Sequence, residues 1–220
     1  DEAAGELASG LTIQTLRPLA TRRGSKHPKA DLRAAVEEAS LLIKASVAED
    51  PEREGMATTL TALLFGPEQV TVAHLGDSRA YRRRAGELTQ LTRDDTYVQV
   101  LLEQGKLEPE EATEHPYRSM VTRVLHGQPA EASIRAHPAE AGDRYLVCSD
   151  GLTDVVPVVD VDATLRDEPE PQDCVERLVA MTLEAGAPDN VSVVVADVVD
   201  EPKQGGVRRL LRGVGLSREG

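Results

Sequence analysis

The chain has 220 residues, of which 40% are apolar and 2% aromatic, and its net charge is −13. This length suits one substantial hydrophobic core, and the near absence of aromatic residues means that Val, Leu, Ile and Ala must fill it. The acidic balance argues against nucleic acid as the main partner, and no apolar run approaches the ~18 residues of a membrane-spanning helix.

Apolar periodicity predicts two helices at the start of the chain. Residues 3–17 carry apolar side chains at intervals of three and four, and Pro18 is expected to end this helix. Residues 30–48 show the stronger helical pattern. A basic loop, residues 21–28, joins them.

Short antiparallel strands with tight turns are predicted next. The predicted strands are Ala57–Phe65, Gln69–Leu75, Arg79–Arg84 and Leu88–Leu91. A helix follows, with Asp94 or Asp95 as its cap. The apolar stripe of this helix is formed by Tyr97, Val98, Leu101 and Leu102.

The second half of the chain returns to strands after a segment without a clear period. A short helix at Glu110–Glu114 leads into residues 115–130, an irregular flap with one helical turn. The later elements are strands at Ala132–His137, Arg144–Cys148 and Val191–Val199, and a helix at Pro171–Ala185. Strands in runs and helices in pairs predict an α+β fold with antiparallel sheets.

The last 20 residues differ in charge from the rest. Residues 201–220 hold five basic and two acidic residues, whereas residues 1–200 hold 20 basic and 36 acidic ones, a net −16. This composition predicts a disordered basic tail after the folded body. The alternative is a segment that lies near an anionic membrane surface.

Two aspartates stand at predicted junctions between a strand and a turn. Asp150 follows the strand Arg144–Cys148, and Asp189 precedes the strand Val191–Val199. Carboxylates at strand ends are held firmly and reach a cleft, and a pair of them suits a hard divalent cation. Asp-Gly and Asp-Asn are also common turns, so each is weak evidence alone.

The sequence Gly76-Asp77-Ser78-Arg79-Ala80 has three interpretations. It approximates the nucleophile elbow of serine hydrolases, but an elbow needs a helix after the serine and a strand is predicted here. Asp77 is otherwise a third strand-end carboxylate, or a residue that bonds the backbone of a tight turn. Taken alone, the turn is the simplest interpretation.

Together these motifs resemble the metal-dependent protein serine/threonine phosphatases of type 2C, the PPM family, and its bacterial members in particular. The matching segments keep the family's order and cover residues 1–200. They are residues 55–60, 72–81, 88–94, 142–154 (with Ser149-Asp150-Gly151) and 186–194 (with Asp189-Asn190). The resemblance implies an antiparallel β-sandwich flanked by pairs of antiparallel helices, in four layers αββα.

The resemblance also implies a chemistry and its residues. Asp150 and Asp189 are expected to ligate one metal of a binuclear Mn²⁺ or Mg²⁺ centre, and Asp77 a third, weaker metal together with Asp150. A water activated by the metals would hydrolyse phosphoserine or phosphothreonine in proteins. Three further residues are expected beside the ligands: Gly151, Asn190 and Arg79. Asn190 would hold Asp189 in place. Ser119 lies in the exposed part of a flap that influences substrate access.

One family motif does not occur in this sequence. Members carry an Asp-Gly-x-Gly-Gly loop whose aspartate bridges both metals, and residues 3–9 resemble the family segment directly after that loop. The fold is therefore expected to be incomplete at its N-terminal side, as a fragment of a complete enzyme. Two alternatives remain: an inactive regulatory or binding module with the phosphatase fold, and an acidic Ca²⁺-binding module, which lacks carboxylates at alternate positions.

The expected partners and location come from the same resemblance and from the cysteines. Phosphorylated proteins, the targets of serine/threonine kinases, are the expected substrates. The two cysteines, Cys148 and Cys174, form no disulfide framework and are expected to be buried in a reducing compartment. The protein is thus expected in the cytoplasm, or as the cytoplasmic part of a membrane-anchored protein.

Overall fold

The computed structural model describes residues 2–21, 25–203 and 206–219, with side chains in 4–20 and 25–200. The chain divides into two compact units. The first comprises Asp1–Gly66, Thr71–Asp77 and Asp94–Ala136, and the second comprises Pro67–Val70, Ser78–Arg93 and His137–Gly220. Three residues of the predicted basic loop, 22–24, lie outside the described residues.

The first unit is built on a pair of long helices, α1 (Glu2–Thr21) and α2 (Pro28–Glu49). Ala8 of α1 and Ala39 of α2 are fully buried, and these small side chains let the two helices pack closely. Pro18 does not end α1 as predicted. The turn beyond it persists because Leu19 is buried and packs in the cluster with Leu32 of α2.

A three-stranded sheet accompanies these helices. Its strands are β1 (Leu60–Phe65), β2 (Gln69–Leu75) and β5 (Ser133–Pro138), in the order β1-β2-β5. All three lie where the sequence predicts strands, although β1 begins three residues later. Met56, Leu60, Leu75 and Leu125 join the helix side chains in one apolar cluster.

Two short helices follow in the same unit, α3 (Tyr97–Glu103) and α4 (Pro109–Ala112). The cap of α3 is neither Asp94 nor Asp95 but Thr96, whose hydroxyl accepts a hydrogen bond from the Gln99 N–H at 3.2 Å. Val98 is buried, but Tyr97 is 37% exposed and therefore does not belong to a buried stripe.

The second unit contains a five-stranded antiparallel sheet in the order β4-β3-β6-β7-β8. Its strands are β3 (Arg79–Arg84), β4 (Glu87–Gln90), β6 (Arg144–Cys148), β7 (Val191–Lys203) and β8 (Gly206–Glu219). The α+β class with antiparallel sheets and accompanying helices is thus confirmed.

Three helices belong to this unit: α5 (Asp150–Thr153), α6 (Val158–Asp167) and α7 (Pro171–Glu184). The sequence predicts α7, with Cys174 and Leu178 facing inward as observed, but misses α5 and α6. Apolar side chains of α6 and α7 pack on Leu146 and Val193 of the sheet in one cluster. Both cysteines are buried and free.

The end of the chain differs from the prediction of a disordered tail. The backbone of β8 pairs with β7 from Lys203↔Gly206 to Val191↔Glu219. An edge strand presents a row of unpaired N–H and C=O groups, which a following segment can pair with. The composition of the segment does not indicate this pairing. Residues 204, 205 and 220 lie outside the described residues.

No helix among the described residues is both long and apolar enough to cross a membrane.

A buried ion pair ties β3 to the start of β6. Asp143 is 1% exposed, and both of its carboxylate oxygens accept hydrogen bonds from the Arg84 guanidinium at 2.6 Å. The Tyr145 hydroxyl and the Glu140 N–H also donate to Asp143, at 3.0 and 2.8 Å. Burial alone would raise the pKa of Asp143, but these hydrogen bonds outweigh it and lower the pKa.

We expect Arg84→Met to lower the free energy of unfolding by about 3 kcal/mol, because it leaves the Asp143 carboxylate buried without its cation. Since the pKa of Asp143 is lowered on folding, the pair stabilises the protein above the unfolded-state pKa of about 3.9 and loses this effect on acidification. Urea unfolding at several pH values measures both effects.

Arg166→Met is the matched control. Arg166 pairs with Asp167 at 2.7 Å, but the two side chains are 53% and 62% exposed, so we expect a loss of less than about 1 kcal/mol. Equal losses in the two variants would contradict a stabilising role for the buried pair.

Candidate metal centre

Asp150 and Asp189 lie at the same end of two paired strands. The β6–β7 ladder ends at Cys148↔Val193. One step beyond, the Ser149 N–H donates to the Ser192 carbonyl and the Ser192 N–H donates to the Ser149 hydroxyl, both at 3.0 Å. The chain then turns into α5 at Asp150, so both aspartates leave the sheet at one edge.

Gly151 makes this close approach possible. It is buried, and a Cβ atom built on it would overlap the carbonyl oxygen of Asn190 and lie 3.0 Å from its carbonyl carbon. Any larger residue would have to push the two chain segments apart. The glycine after Asp150 is therefore a steric requirement of the site.

Backbone N–H groups orient both carboxylates. The Gly151 N–H donates to Asp150 Oδ1 at 3.0 Å, and the Asn190 N–H donates to Asp189 Oδ1 at 2.7 Å. The backbone of Asn190 thus bonds Asp189, and the role of its side chain in holding Asp189 stays a prediction. Carboxylates fixed in this way need little further ordering to bind a cation.

The charge at this edge is uncompensated. Burial is the main cause that raises the pKa of the half-buried Asp150, and the carboxylates of Asp154 and Asp189 raise it further. Within the part of the chain that the structure describes, no Lys or Arg forms an ion pair with these three aspartates. Asp154, which the sequence motifs did not single out, adds to the negative charge.

A divalent cation fits this arrangement. Oxygen donors are what Mg²⁺ and Mn²⁺ prefer, and Mg²⁺ usually keeps several waters and takes only one or two protein carboxylates. Among the described residues, no group of three or more His, Cys, Asp or Glu side chains is placed to hold a metal by itself. Asp150 and Asp189 could by themselves supply only part of a coordination shell.

Asp77 belongs to the first unit, whereas Asp150 and Asp189 belong to the second. Asp77 is half-buried and follows Gly76, whose φ is +112°. A Cβ atom built on Gly76 would lie only 2.5 Å from the Thr59 side chain, so this position requires glycine. The convergence of all three aspartates stays a prediction.

The residue that fixes the Asp77 turn is Asp95, which the sequence suggested only as a helix cap. Its carboxylate accepts a hydrogen bond from the Gly76 N–H at 3.1 Å, and its own N–H donates to the Gly76 carbonyl at 2.7 Å. Its carbonyl accepts from the Thr122 N–H and hydroxyl, and its carboxylate pairs with Arg123 at 3.3 Å. Asp95 is 3% exposed and thus bonds both the Asp77 turn and the flap.

The flap, residues 115–130, contains turns and isolated bridges instead of the predicted helical turn. Ser119 is exposed in a turn that the Met120 N–H to Tyr117 carbonyl bond closes at 3.1 Å. The bridges Thr96↔Val121 and Thr58↔Leu125 attach the flap to the rest of its unit. These two bridges, and not hydrogen bonds within a helical turn, hold the flap in place.

Neither Ser78 nor Arg79 forms a nucleophile elbow. Arg79 starts strand β3, which pairs with β6 from Arg79↔Cys148 onward. An elbow requires a helix after the serine. The interpretation of Ser78 as the nucleophile of a serine hydrolase is therefore wrong. Arg79 is half-buried, with its guanidinium 3.5 Å from the Tyr81 hydroxyl.

The family described as protein phosphatase 2C matches residues 3–195. The chain is 48% identical over 201 residues to the serine/threonine protein phosphatase PstP of Mycobacterium tuberculosis, covering 90% of this chain but 38% of that protein. It is 28% identical over 199 residues to the serine/threonine phosphatase stp of Listeria monocytogenes, covering 88% of this chain and 79% of that protein.

Solved structures give the same relationship. The crystal structure of the Mycobacterium tuberculosis phosphatase PstP/Ppp has a TM-score of 0.87 at 47% identity, covering 89% of this chain and 83% of that one. The PstP catalytic domain in complex with two manganese ions has a TM-score of 0.85 at 45% identity, covering 90% and 83%.

We expect Asp150→Asn to raise the melting temperature of the metal-free protein at neutral pH. Because folding raises the pKa of Asp150, its ionised form destabilises the folded state, and stability is lost as pH rises through the folded pKa. Because solvent screens the repulsion at this half-exposed carboxylate, we expect the melting temperature to rise by only a few degrees. Each kcal/mol of destabilisation removed corresponds to about 2–4 °C. Calorimetry in EDTA measures this.

The control is Asp160→Asn, at an exposed carboxylate in the first turn of α6, which should not raise the melting temperature. Adding Mn²⁺ should stabilise the wild type and the control but not Asp150→Asn. A melting temperature of Asp150→Asn at or below that of the wild type in EDTA would exclude repulsion at this site.

We expect Gly151→Ala to lower the free energy of unfolding by about 2 kcal/mol and to weaken Mn²⁺ binding, since the new Cβ meets backbone that cannot rotate away. Gly10→Ala in α1, where a Cβ has no atom within 4 Å, should be neutral or stabilising by up to about 1 kcal/mol. Urea unfolding and titration calorimetry decide, and equal stability of the two variants would argue against the steric role of Gly151.

Proposed function

This chain belongs to the protein phosphatase 2C family, and from that premise we propose that it hydrolyses phosphoserine and phosphothreonine in proteins at a pair of Mn²⁺ or Mg²⁺ ions. The observation that carries the proposal is the edge of the second unit's sheet, where Asp150 and Asp189 flank the paired Ser149 and Ser192 and form no ion pair with Lys or Arg among the described residues. We assign catalysis to residues 1–200, of which the family matches 3–195.

When bound, the metals supply an activated water and neutralise charge on the transferring phosphoryl group. Asp150 and Asp189 would hold a metal, and the N–H groups of Gly151 and Asn190 keep one oxygen of each carboxylate in place. Gly151 keeps the two carboxylates adjacent. These residues bind and orient, and none of them has to form a bond to phosphorus.

Water as the nucleophile agrees with the character of the cysteines. Both are buried, and burial raises the pKa of Cys174 to about 11, so this thiol stays protonated at neutral pH. Ser78 directly precedes strand β3 and is not followed by the helix of a nucleophile elbow. A covalent phosphoenzyme on these side chains is therefore not part of the proposal.

The third, weaker metal is assigned to Asp77 with Asp150. Asp77 follows a turn that two hydrogen bonds to Asp95 hold in place. Arg79 lies two residues further, at the start of β3, and we place it among the neighbours of this site. Ser119, exposed in the flap, is assigned to substrate access.

Substrates and location complete the proposal. Phosphoproteins modified by serine/threonine kinases are the substrate class, and the bound cations would reverse the sign of an otherwise acidic site for the anionic phosphate. We place the protein in the cytoplasm, which its two free buried cysteines support. An approach of the basic residues in 201–220 to a membrane surface stays a prediction.

The sequence lacks the Asp-Gly-x-Gly-Gly loop that bridges both metals in the family. The presence of Asp77, Asp150 and Asp189 favours the enzyme over the alternative of an inactive binding module, since a site without function would be free to lose them. The activity of these 220 residues alone is what separates the two.

We expect Mn²⁺-dependent hydrolysis of p-nitrophenyl phosphate and a phosphothreonine peptide, measured on this chain and on one with an Asp-Gly-x-Gly-Gly segment added before it. Asp150→Asn and Asp189→Asn should each lower kcat/KM at least about 100-fold, because each removes a metal-holding carboxylate. Asp160→Asn is the control and should retain activity.

Full activity of Asp150→Asn, or no hydrolysis by either chain, would show that the mechanism is wrong. Binding of the phosphopeptide without any turnover, by both chains, would instead support the inactive binding module.

A further inference from the structure

Two residues of the first unit fix the peptide that precedes Asp77. The Asp95 N–H donates to the Gly76 carbonyl at 2.7 Å, and Asp95 Oδ2 accepts from the Gly76 N–H at 3.1 Å. The second residue is Thr59, whose side chain lies so close to Gly76 that a Cβ atom has no room there. The starting point of the Asp77 side chain is therefore determined by how Asp95 and Thr59 hold this turn.

The Asp95 carboxylate is almost completely buried and is bonded through both of its oxygens. Its side chain is 4% exposed, and Oδ1 lies 3.3 Å from the Arg123 guanidinium while Oδ2 accepts from the Gly76 N–H. A carboxylate without such partners is costly to bury. Arg123, whose side chain is 44% exposed, thus compensates the charge of the residue that fixes the Asp77 turn.

The flap is bonded to both segments that hold this turn. The Thr122 N–H and hydroxyl donate to the Asp95 carbonyl at 2.7 and 2.8 Å. Leu125 exchanges two backbone hydrogen bonds of 2.9 Å with Thr58, the neighbour of Thr59. A displacement of the flap would therefore act on the turn through two separate contacts.

We propose that Asp95 is a positioning residue for Asp77 and that Arg123 of the flap supports it. This inference rests on the proposed assignment of Asp77 to a metal. Arg123 bonds the Asp95 carboxylate, that carboxylate bonds the Gly76 N–H, and the Gly76 peptide leads directly into Asp77. All four residues belong to the first unit. Groups that bind a metal must be held within about 0.5 Å of the productive geometry, so a loosened turn would weaken binding by Asp77.

Each bond in this series can be removed separately. Asp95→Asn keeps an oxygen that accepts from the Gly76 N–H, but its amide N–H₂ cannot accept from Arg123. Arg123→Met removes the cation, and Arg123→Lys retains a positive charge without the planar guanidinium.

Arg53→Met is the matched control. Arg53 pairs with Asp50 in the same unit and at the same distance, 3.3 Å. Among the described residues, neither Arg53 nor Asp50 bonds the Asp77 turn. Urea unfolding confirms that each variant is folded before it is compared with the wild type.

The first test follows Mn²⁺ by the paramagnetic broadening of the Asp77 amide resonance in the 220-residue chain. We expect Asp95→Asn and Arg123→Met to need about tenfold more Mn²⁺ for half of the full broadening. Arg123→Lys should lie between Arg123→Met and the wild type, and Arg53→Met should match the wild type. Without metal, the Gly76 N–H should exchange with solvent at least about threefold faster in Arg123→Met.

The second test is a double-mutant cycle on kcat/KM for the phosphothreonine peptide, in whichever of the two chains hydrolyses it. It compares Asp77→Asn, Asp95→Asn and the double variant. If Asp95 acts through Asp77, the double variant loses no more activity than Asp77→Asn alone. Losses that multiply would show that Asp95 acts by another route and would overturn the inference.

Failure of the inference and failure of the proposed function give different results. Equal broadening, or equal exchange of the Gly76 N–H, in the wild type and Arg123→Met contradicts only the role of Asp95. No broadening of Asp77 in either chain overturns the inference together with the assignment of Asp77 to a metal. No hydrolysis by either chain contradicts the proposed function, and the broadening series then still decides about Asp95.

Discussion

The antiparallel pairing of β6 with β7 is the constraint on which the candidate site depends. It ends at Cys148↔Val193, and the bonds between Ser149 and Ser192 carry the register one step further. Asp150 and Asp189 are adjacent only because that register continues into the turns, and Gly151 leaves room for the Asn190 carbonyl. A register shift of one residue would turn every side chain of either strand to the opposite face and separate the carboxylates.

Charge is distributed in this unit in two contrasting ways. Away from the site, two ion pairs join charges that are buried or half-buried: Arg84 with Asp143 and, across β6 and β7, Arg144 with Asp197, each through two hydrogen bonds. At the edge of the sheet the aspartates repel one another, and the pKa of Asp150 rises as a result of burial and this repulsion. The ion pairs tie neighbouring segments together, whereas the aspartates at the edge form no ion pair with Lys or Arg among the described residues.

Local patterns were sufficient for much of the fold. Strands β2 and β6 were located from short stretches of strand-favouring residues bounded by turns, and α2 from its helical period, which reflects one buried face. The predicted end of α1 at Pro18 was wrong because the burial of Leu19 extends the helix beyond the proline. Strand β8 was not predicted because pairing with an edge strand leaves no periodic pattern in the sequence. Helix α6 is short and has three buried residues, Val161, Thr164 and Leu165, which is a weak pattern.

For the site, the sequence alone determined which carboxylates stand at strand ends, since a strand that stops at Cys148 or starts at Val191 can be read from its apolar run. Only the tertiary structure decided that Asp150 and Asp189 meet, that Asp154 adds to their charge, and that Asp95 bonds both the Asp77 turn and the flap. The reason is physical: periodicity reports which face of an element is buried, whereas contacts between distant residues depend on register and turn geometry, which no local pattern encodes.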